Sequence, residues 1–383
     1  MAPEVLVTQG KALHVCLVSA AYRPFPSGVS EHVYHLKIEL ERIGHSVRVL
    51  TCNYPGQSER EHGVTRLGRV VVLPANSSRF TLPFGHDLPS AVRGFLRDHH
   101  FDVVHCHGMF PPEIAYWAIK YSRAPVVVTF HTLRQQSPSL VRSTFRILFR
   151  KLLCKIGARI AVTQAGQRWA EGWVPGDYEV IPNGVDTARF SPSVPPAPVF
   201  RDGRPALLYV GRIDRRKGLP VLIRSLPDVI RLAPDVKLVV VGSGPLEASC
   251  RRMCRRFGFG NRVLFCGTVS PEELPSYYSG CTIYVSPALG GEAMGIVLLE
   301  AMASGKPVVA SRIPGYDEVV AEGRDALLVS AGDPTALGHA LIRLLESPME
   351  RARLSENALR RAQEFNWPRV AARVELVYEG VLA

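Results

Sequence analysis

Apolar and polar positions along this chain follow two alternating periods. Short β-branched runs recur, and between them apolar residues are spaced three and four apart, as at Val33, Leu36, Leu40 and Ile43 before Gly44. Strands that alternate with amphipathic helices predict a parallel sheet covered by helices. The predicted strands of the first part of the chain are 13–19, 47–51, 70–73, 103–105, 126–129 and 160–163.

Residues 191–205 interrupt this alternation with five prolines and a glycine, so that neither a helix nor a strand continues through them. A second alternation follows, with predicted strands at 206–210, 237–241, 263–266, 282–285, 307–310 and 326–329. We therefore predict an α/β chain of two doubly wound, Rossmann-like domains, 1–197 and 198–366. The last helix begins only after the second sheet is complete, and we expect residues 367–383 to cross back to the first domain.

Composition supports two hydrophobic cores and points to an anionic partner. The chain has 383 residues, of which 46% are apolar, which is ample for two domains. Its net charge of +12 is uneven, with 22 Lys and Arg against 14 Asp and Glu in residues 1–197. A basic half fits nucleic acid, an acidic membrane or a phosphorylated small molecule. No helix-turn-helix, zinc or aromatic-basic signature favours nucleic acid, which we do not expect as a partner.

The cysteines and the lengths of the apolar runs bear on the cellular compartment that we expect for the chain. Eight cysteines are scattered without a disulfide framework, which predicts a reducing, cytoplasmic compartment. Residues 11–21 faintly resemble a signal peptide, but they also fit the first buried strand. No apolar run reaches the roughly 18 residues that a membrane span needs, so we expect no membrane-spanning helix.

The strongest chemical motif follows the predicted strand 282–285. A loop with Glu292 and Gly295 opens an apolar helix that carries Glu300. Free amide groups at a helix start can bind a diphosphate, and the two acids are spaced to reach the same ligand. The alternative is an ordinary helix start with a structural, salt-bridging glutamate.

A second motif, residues 210–219, follows the first strand of the second domain. Arg212 can form paired hydrogen bonds to phosphate oxygens, and Lys217 supplies a compact positive charge. Such cations are needed where a nucleoside diphosphate leaves, because negative charge develops on it. Arg215 and Arg216 are predicted to face solvent.

Together these motifs resemble the signature of the retaining GT-B glycosyltransferases of family 4, the family that includes phosphatidylinositol mannosyltransferases. The resemblance implies two facing Rossmann-like domains, a nucleotide-sugar donor, and catalysis without a metal ion or other cofactor. It assigns sugar hydroxyls to Glu292, the ribose to Glu300, and the diphosphate to Arg212 and Lys217. Met294 stands where the family usually has an aromatic residue.

The resemblance extends through the first domain as well. Ser27 and Gly28 stand where the family usually has two adjacent glycines, and His131, after the strand 126–129, matches a histidine that contacts the donor sugar near the reaction centre. The remaining donor-binding positions that the resemblance implies are Gly28, Gly211, Gly267, Met294, Gly295 and Ile296.

Residues 133–159 contain seven basic residues and no acidic one. Arginines recur every four positions and apolar residues follow three and four apart, which predicts a basic amphipathic helix that contacts a membrane. The alternative is a packed helix with a solvated cationic face. The residues predicted to contact the acceptor or an anionic membrane are Tyr22, Ser27, Arg142, Arg146, Arg150 and Lys151.

We therefore predict transfer of mannose from GDP-mannose to a lipid-linked acceptor such as phosphatidylinositol, by an enzyme bound peripherally to the inner face of the membrane. The alternative is a UDP-sugar-dependent transferase of N-acetylglucosamine or glucose that acts on a lipid or a soluble acceptor. A nicotinamide-dependent dehydrogenase is disfavoured, because Gly242-Ser243-Gly244-Pro245 lacks the third glycine of the dinucleotide fingerprint. A non-catalytic binding protein is disfavoured by the intact set of charged motif residues. The sequence does not predict an oligomeric state.

Overall fold

The computed structural model describes residues 11–25, 27–54, 61–75, 78–85, 87–133 and 138–383. The chain forms two compact units: unit 1 comprises Met1–Gly184 and Trp367–Ala383, and unit 2 comprises Val185–Asn366. The predicted boundary after residue 197 lies further along the chain than the observed one. Residues 185–197 belong to unit 2 because their amides bond there, Val185 N to Phe365 O at 2.8 Å and Ala197 N to Ser276 O at 3.0 Å.

One sheet forms the centre of the described part of unit 1. Its strands are β1 (His14–Ser19), β2 (Ser46–Asn53), β3 (Val64–Ala75), β4 (Ser78–Phe84), β5 (Val103–His107), β6 (Val126–Phe130), β7 (Ile156–Ala161) and β8 (Glu179–Val180). They lie in the order β4-β3-β2-β1-β5-β6-β7-β8, and only the β3–β4 pair is antiparallel. Strands β5 and β6 are buried at every position, as parallel strands covered on both faces should be.

In the described part of Met1–Gly184 the helices are α1 (Gly28–Arg42), α2 (Leu88–Asp98), α3 (Ile114–Tyr121), α4 (Ser139–Leu148), α5 (Arg150–Leu153) and α6 (Gln164–Glu171). The single helix predicted within residues 133–159 is wrong, because two short helices end before β7 begins. Ile156, predicted on the helix, pairs instead with Val126 in the sheet. Residues 134–137 of that segment lie outside the described residues.

Unit 2 has a second, fully parallel sheet. Its strands are β9 (Ala206–Val210), β10 (Lys237–Val241), β11 (Val263–Gly267), β12 (Ile283–Ser286), β13 (Val308–Arg312) and β14 (Ala326–Ser330). Their order is β11-β10-β9-β12-β13-β14, so the strand order reverses between β9 and β12. Ligands of such sheets bind beyond the carboxyl ends of the strands at this point.

The helices of unit 2 are α7 (Leu219–Leu232), α8 (Glu247–Arg256), α9 (Leu274–Gly280), α10 (Ile296–Ala303), α11 (Pro334–Glu346) and α12 (Pro348–Gln363). The last helix, α13 (Trp367–Leu382), returns to unit 1 as predicted. Its apolar side packs on α1, where the Trp367 ring stacks on His35 at 5.2 Å and Val370 and Val374 join the core. Among the described residues, none of the helices combines the length and the apolar character needed to cross a bilayer.

Candidate active site

The loop between β12 and α10 is shaped by a glycine. Gly295 precedes α10 with a φ of 78°, and a Cβ there would lie 2.3 Å from Cε1 of the Tyr316 ring. Only glycine fits both conditions. Among the described residues α10 has no side-chain cap, and Leu298 N donates to the Gly295 carbonyl at 2.9 Å. The amides of Ile296 and Val297 are therefore the ones at this helix start that can bind an anion.

Glu292 lies in this loop between two cations. Lys217 Nζ donates to its Oε2 at 3.1 Å, and Arg216 Nη1 donates to its Oε1 at 2.5 Å. The Glu292 side chain is only 9% exposed. A buried carboxylate without partners would cost several kcal/mol, so these two cations make the burial of Glu292 tolerable.

Arg216 is therefore not the solvent-facing residue that the sequence suggested. Its guanidinium also donates to the Gly291 carbonyl at 2.9 Å, which holds it across the loop. Its neighbour Arg215 is exposed. Nothing in a run of adjacent basic residues indicates that Arg216, and not Arg215, contacts Glu292.

Lys217 is positioned by the loop that follows β9. Its amide donates to the carboxylate of buried Asp214 at 3.0 Å. The next residue, Gly218, has a φ of 73°, and a Cβ there would lie 1.8 Å from the Pro287 carbonyl oxygen. The backbone contact at Gly218 places the loop after β9 directly against the loop after β12, so that Lys217 reaches Glu292.

Arg212 lies in the same loop, one third exposed. Its Nε is 3.9 Å from Asp214 Oδ2, and its carbonyl accepts a hydrogen bond from the Tyr209 hydroxyl at 2.9 Å. The preceding residue, Gly211, directly follows β9. The fork of the Arg212 guanidinium and the Lys217 ammonium thus lie on one loop at the carboxyl end of the sheet.

Glu300 lies on α10 and is partly buried. The Tyr278 hydroxyl donates to its Oε2 at 2.6 Å. Burial and the neighbouring Glu300 raise the pKa of Tyr278 well above its ordinary value, so the phenol keeps its proton and remains a donor. Tyr278 was not predicted from the sequence, because only the fold brings α9 beside α10.

The other predicted donor positions of unit 2 also lie at this edge. Met294 is buried and Ile296 is the first residue of α10. Gly267 ends β11, and the next residue, Thr268, has its hydroxyl 3.1 Å from that of Ser243 after β10. The structure thus collects the loops after β9, β10, β11 and β12 of unit 2 around one region.

A histidine cluster lies at the carboxyl ends of β5 and β6 in unit 1. His131 follows β6, and its Nε2 lies 2.9 Å from Nδ1 of His107 on β5. The ring of His32, from α1, lies 4.6 Å from the His131 ring and 5.3 Å from the His107 ring. His32 was not predicted, since it occurs within the apolar pattern of α1.

Burial keeps these rings neutral. Desolvation, and then the nearby His32 and His105, hold the pKa of His131 well below the ordinary histidine value. Desolvation likewise lowers the pKa of His32 from 6.5 to about 4. His131 can therefore donate or accept a hydrogen bond at neutral pH without carrying a charge.

The remaining predicted residues of unit 1 have structural partners. Gly28 is the first residue of α1, and the Ser27 hydroxyl caps that helix by accepting from Ser30 N at 3.1 Å. Tyr22, predicted to contact the acceptor, lies in the core, and its hydroxyl donates to Glu61 at 2.9 Å.

Helix α4 turns two of its predicted membrane-contacting arginines inward, and Phe145 packs inward beside them against Phe110 and Trp173. Arg146 donates to the carbonyls of Glu171 and Gly172 at 3.0 and 2.8 Å, and Arg142 packs against Gly172, so both arginines lie at the end of α6. A helix carboxyl end attracts cations. The exposed residues include large apolar ones, Leu140 at 76%, Val141 at 49%, Ile147 at 76% and Leu148 at 73%. Arg150 and Lys151 are exposed, as predicted.

Comparisons with known proteins match both units. Residues 26–189 match the model for Glycosyltransferase Family 4, and residues 192–361 match that for Glycosyl transferases group 1. The chain is 36% identical to a phosphatidyl-myo-inositol mannosyltransferase of Mycobacterium leprae over 93% of its own length and 94% of that protein. It is 35% identical to the protein of the same name from Mycolicibacterium smegmatis, covering 93% and 91%.

A solved structure shares the fold. A sucrose-phosphate synthase of Thermosynechococcus elongatus superposes with a TM-score of 0.76, at 24% identity, over 96% of this chain and 99% of that one. At this identity the likeness shows the two Rossmann-like domains of the GT-B fold.

Proposed function

This chain belongs to glycosyltransferase family 4, and from that membership we propose that it transfers mannose from GDP-mannose to a phosphatidylinositol acceptor with retention of the anomeric configuration. The observation that carries the proposal is relatedness through both units to phosphatidyl-myo-inositol mannosyltransferases of similar length. That the chain is a glycosyltransferase follows from the family itself.

The charged residues of unit 2 fit the donor. The diphosphate would lie on the amides at the start of α10, with Arg212 and Lys217 matching the charge that develops as the glycosidic bond breaks. Glu292 would accept hydroxyls of the sugar and Glu300 those of the ribose. These roles are consistent with the carboxylate positions that Lys217 and Tyr278 fix.

We place no protein nucleophile at the anomeric carbon. The acceptor hydroxyl would form its bond to that carbon on the face from which the diphosphate departs, and its proton would pass to the departing phosphate oxygen. Neutral His131 would hydrogen-bond the sugar. With Arg212 and Lys217 supplying positive charge, we propose that transfer needs neither a metal ion nor an organic cofactor.

A donor panel tests this proposal. Purified protein is incubated in EDTA with radiolabelled GDP-mannose, UDP-glucose or UDP-N-acetylglucosamine, and with phosphatidylinositol in mixed micelles. We expect label in the lipid fraction from GDP-mannose, at a rate at least about tenfold above either UDP-sugar. Preference for a UDP-sugar, or transfer only to a soluble acceptor, would favour the alternative transferase over the proposed one.

We further propose that α4 docks on an anionic bilayer through its exposed apolar face, with unit 1 bound peripherally to the inner face of the membrane. Leu140, Ile147 and Leu148 are each more than 70% exposed, and they lie at helical spacing on the side away from α6. Exposed Arg150 and Lys151 follow, and each can contribute about 1 kcal/mol near anionic lipid. All eight cysteines are free, which fits a reducing cytoplasmic location.

Co-sedimentation with vesicles of phosphatidylcholine and phosphatidylserine measures this docking. In a Leu140→Gln/Ile147→Gln variant we expect binding to fall at least about tenfold, because two large apolar side chains no longer enter the interface. Met349→Gln is the matched control, since Met349 is 86% exposed on α12 of unit 2. Equal binding of the double variant and the wild type would refute docking through α4.

A further inference from the structure

His32, His107 and His131, the trihistidine cluster, have an arrangement that the proposed transfer reaction does not account for. We propose that this cluster is a binding site for a divalent transition metal of the zinc class, and that the bound metal inhibits sugar transfer by occupying His131. The inhibitory consequence rests on the proposed function, whereas metal binding does not.

The geometry brings three imidazole ligands together. Each residue offers one ring nitrogen, and the three ligand atoms all lie within 4.8 Å of one another. Zinc–nitrogen bonds of about 2.0–2.1 Å place neighbouring ligand nitrogens roughly 3.3–3.4 Å apart in a tetrahedral site. The 2.9 Å separation of His107 Nδ1 and His131 Nε2 is slightly shorter than this. Ring shifts on the order of 1 Å would therefore complete the site.

Several buried ring nitrogens of the cluster lack hydrogen-bond partners among the described residues. Neither nitrogen of His32 nor Nε2 of His107 has a hydrogen-bond partner of normal geometry among the described residues, although these atoms are inaccessible to solvent. The side chain of Asn183 partly opposes the burial-induced fall in the pKa of His32 and of His131. Unpaired buried polar atoms are costly, and a metal ion would use one lone pair of each ring.

The chemistry of the cluster selects the class of ion. The three ligand atoms that come together are all imidazole nitrogens. Neutral imidazole suits zinc, cobalt, nickel and copper, whereas magnesium and calcium prefer oxygen ligands. His131 is only partly buried, which gives an ion a route from solvent.

The three ligands come from three different secondary-structure elements, which fixes their positions relative to one another. His107 ends β5, His131 follows β6, and His32 lies on α1, so the backbone holds all three independently. A fourth position would remain for water or another ligand, as in zinc sites with three histidines. Because His131 is the residue proposed to contact the donor sugar, a metal bound to it competes with that contact.

The test combines binding and activity in a Cys154→Ser background, because the exposed thiol of Cys154 could bind zinc by itself. Zinc affinity is measured by competition with a chromophoric chelator, and cobalt is added to the same protein to record its absorption spectrum. We expect one zinc per chain, a cobalt spectrum typical of tetrahedral nitrogen ligation, and loss of transfer that a chelator reverses.

His32→Ala should weaken zinc binding by at least about 10- to 100-fold, since even outer-shell partners contribute that much. His100→Ala is the control, because His100 in the same unit is 88% exposed. Absence of zinc binding, or equal affinity in His32→Ala, overturns the site. If His32→Ala does not fold, an octahedral cobalt spectrum of the parent protein overturns it instead. A failure of the metal-free protein to transfer sugar bears on the proposed function alone.

Discussion

Lys217→Met is expected to lower kcat for mannose transfer by about 10²–10³-fold, the usual effect of removing one group that stabilises developing negative charge. The methionine keeps most of the apolar stem, so the change removes mainly the ammonium group. That ammonium lies 3.1 Å from Glu292, and donor binding would place it beside the diphosphate as well. Initial rates with labelled GDP-mannose and phosphatidylinositol, at saturating donor, measure the effect.

Arg215→Met provides the matched control for this prediction. Arg215 lies in the same loop, but its side chain is exposed, so we expect rates within about twofold of wild type. Thermal unfolding of both variants should be recorded, because Lys217 is also one of two partners of buried Glu292. A folded Lys217→Met protein with nearly normal kcat would remove Lys217 from the mechanism.

Gly218→Ala is expected to destabilise unit 2 by about 3 kcal/mol or more and to abolish detectable GDP binding. The new methyl group would lie 1.8 Å from the Pro287 carbonyl oxygen, which is backbone and cannot rotate away. The φ of 73° adds a further cost of about 1 kcal/mol for a residue with a Cβ. The loops after β9 and β12 would separate, moving Lys217 away from Glu292. Calorimetry and GDP titration measure the two effects.

Gly258→Ala is the control that separates the backbone cost of a positive φ from the steric clash expected at Gly218. Gly258 has a φ of 69° in the same unit, but a Cβ there would have no atom within 4 Å. We expect Gly258→Ala to lower the free energy of unfolding by about 1 kcal/mol, because only the positive φ is unfavourable. GDP binding should be unchanged. Equal stability losses in the two variants would mean that the loop contact at Gly218 tolerates a side chain, contrary to the geometry.

The pairing of Glu292 with Arg216 and Lys217 also bears on how the donor would bind. Two cations neutralise this carboxylate, so Glu292 is not buried without a partner. If Lys217 bound the diphosphate as proposed, Arg216 would still pair with Glu292 and keep it neutralised.

The sequence by itself determined the organisation into two units and the positions along the chain of the charged motif residues. Period-two and period-3.6 patterns are local, so the alternation predicted two parallel sheets and a helix returning to unit 1. The fold confirms both apart from the antiparallel pair β3–β4. The motifs around Arg212, Lys217, Glu292 and Glu300 are local too. They follow strands, and the carboxyl ends of parallel strands meet at one edge of a sheet.

Only the tertiary structure decided which side chains those residues contact and which way α4 faces. Tyr278 meets Glu300 because α9 packs beside α10. His32 joins His131 because the fold brings α1 to the carboxyl ends of β5 and β6. The pattern of α4 predicted separate cationic and apolar faces, but Phe145 packs inward on the same side as Arg142 and Arg146. Which face points inward depended on the carboxyl end of α6, which binds Arg146 and leaves Leu140 and Ile147 exposed. Hydrophobic periodicity carries no information about a partner that lies more than twenty residues away in the chain.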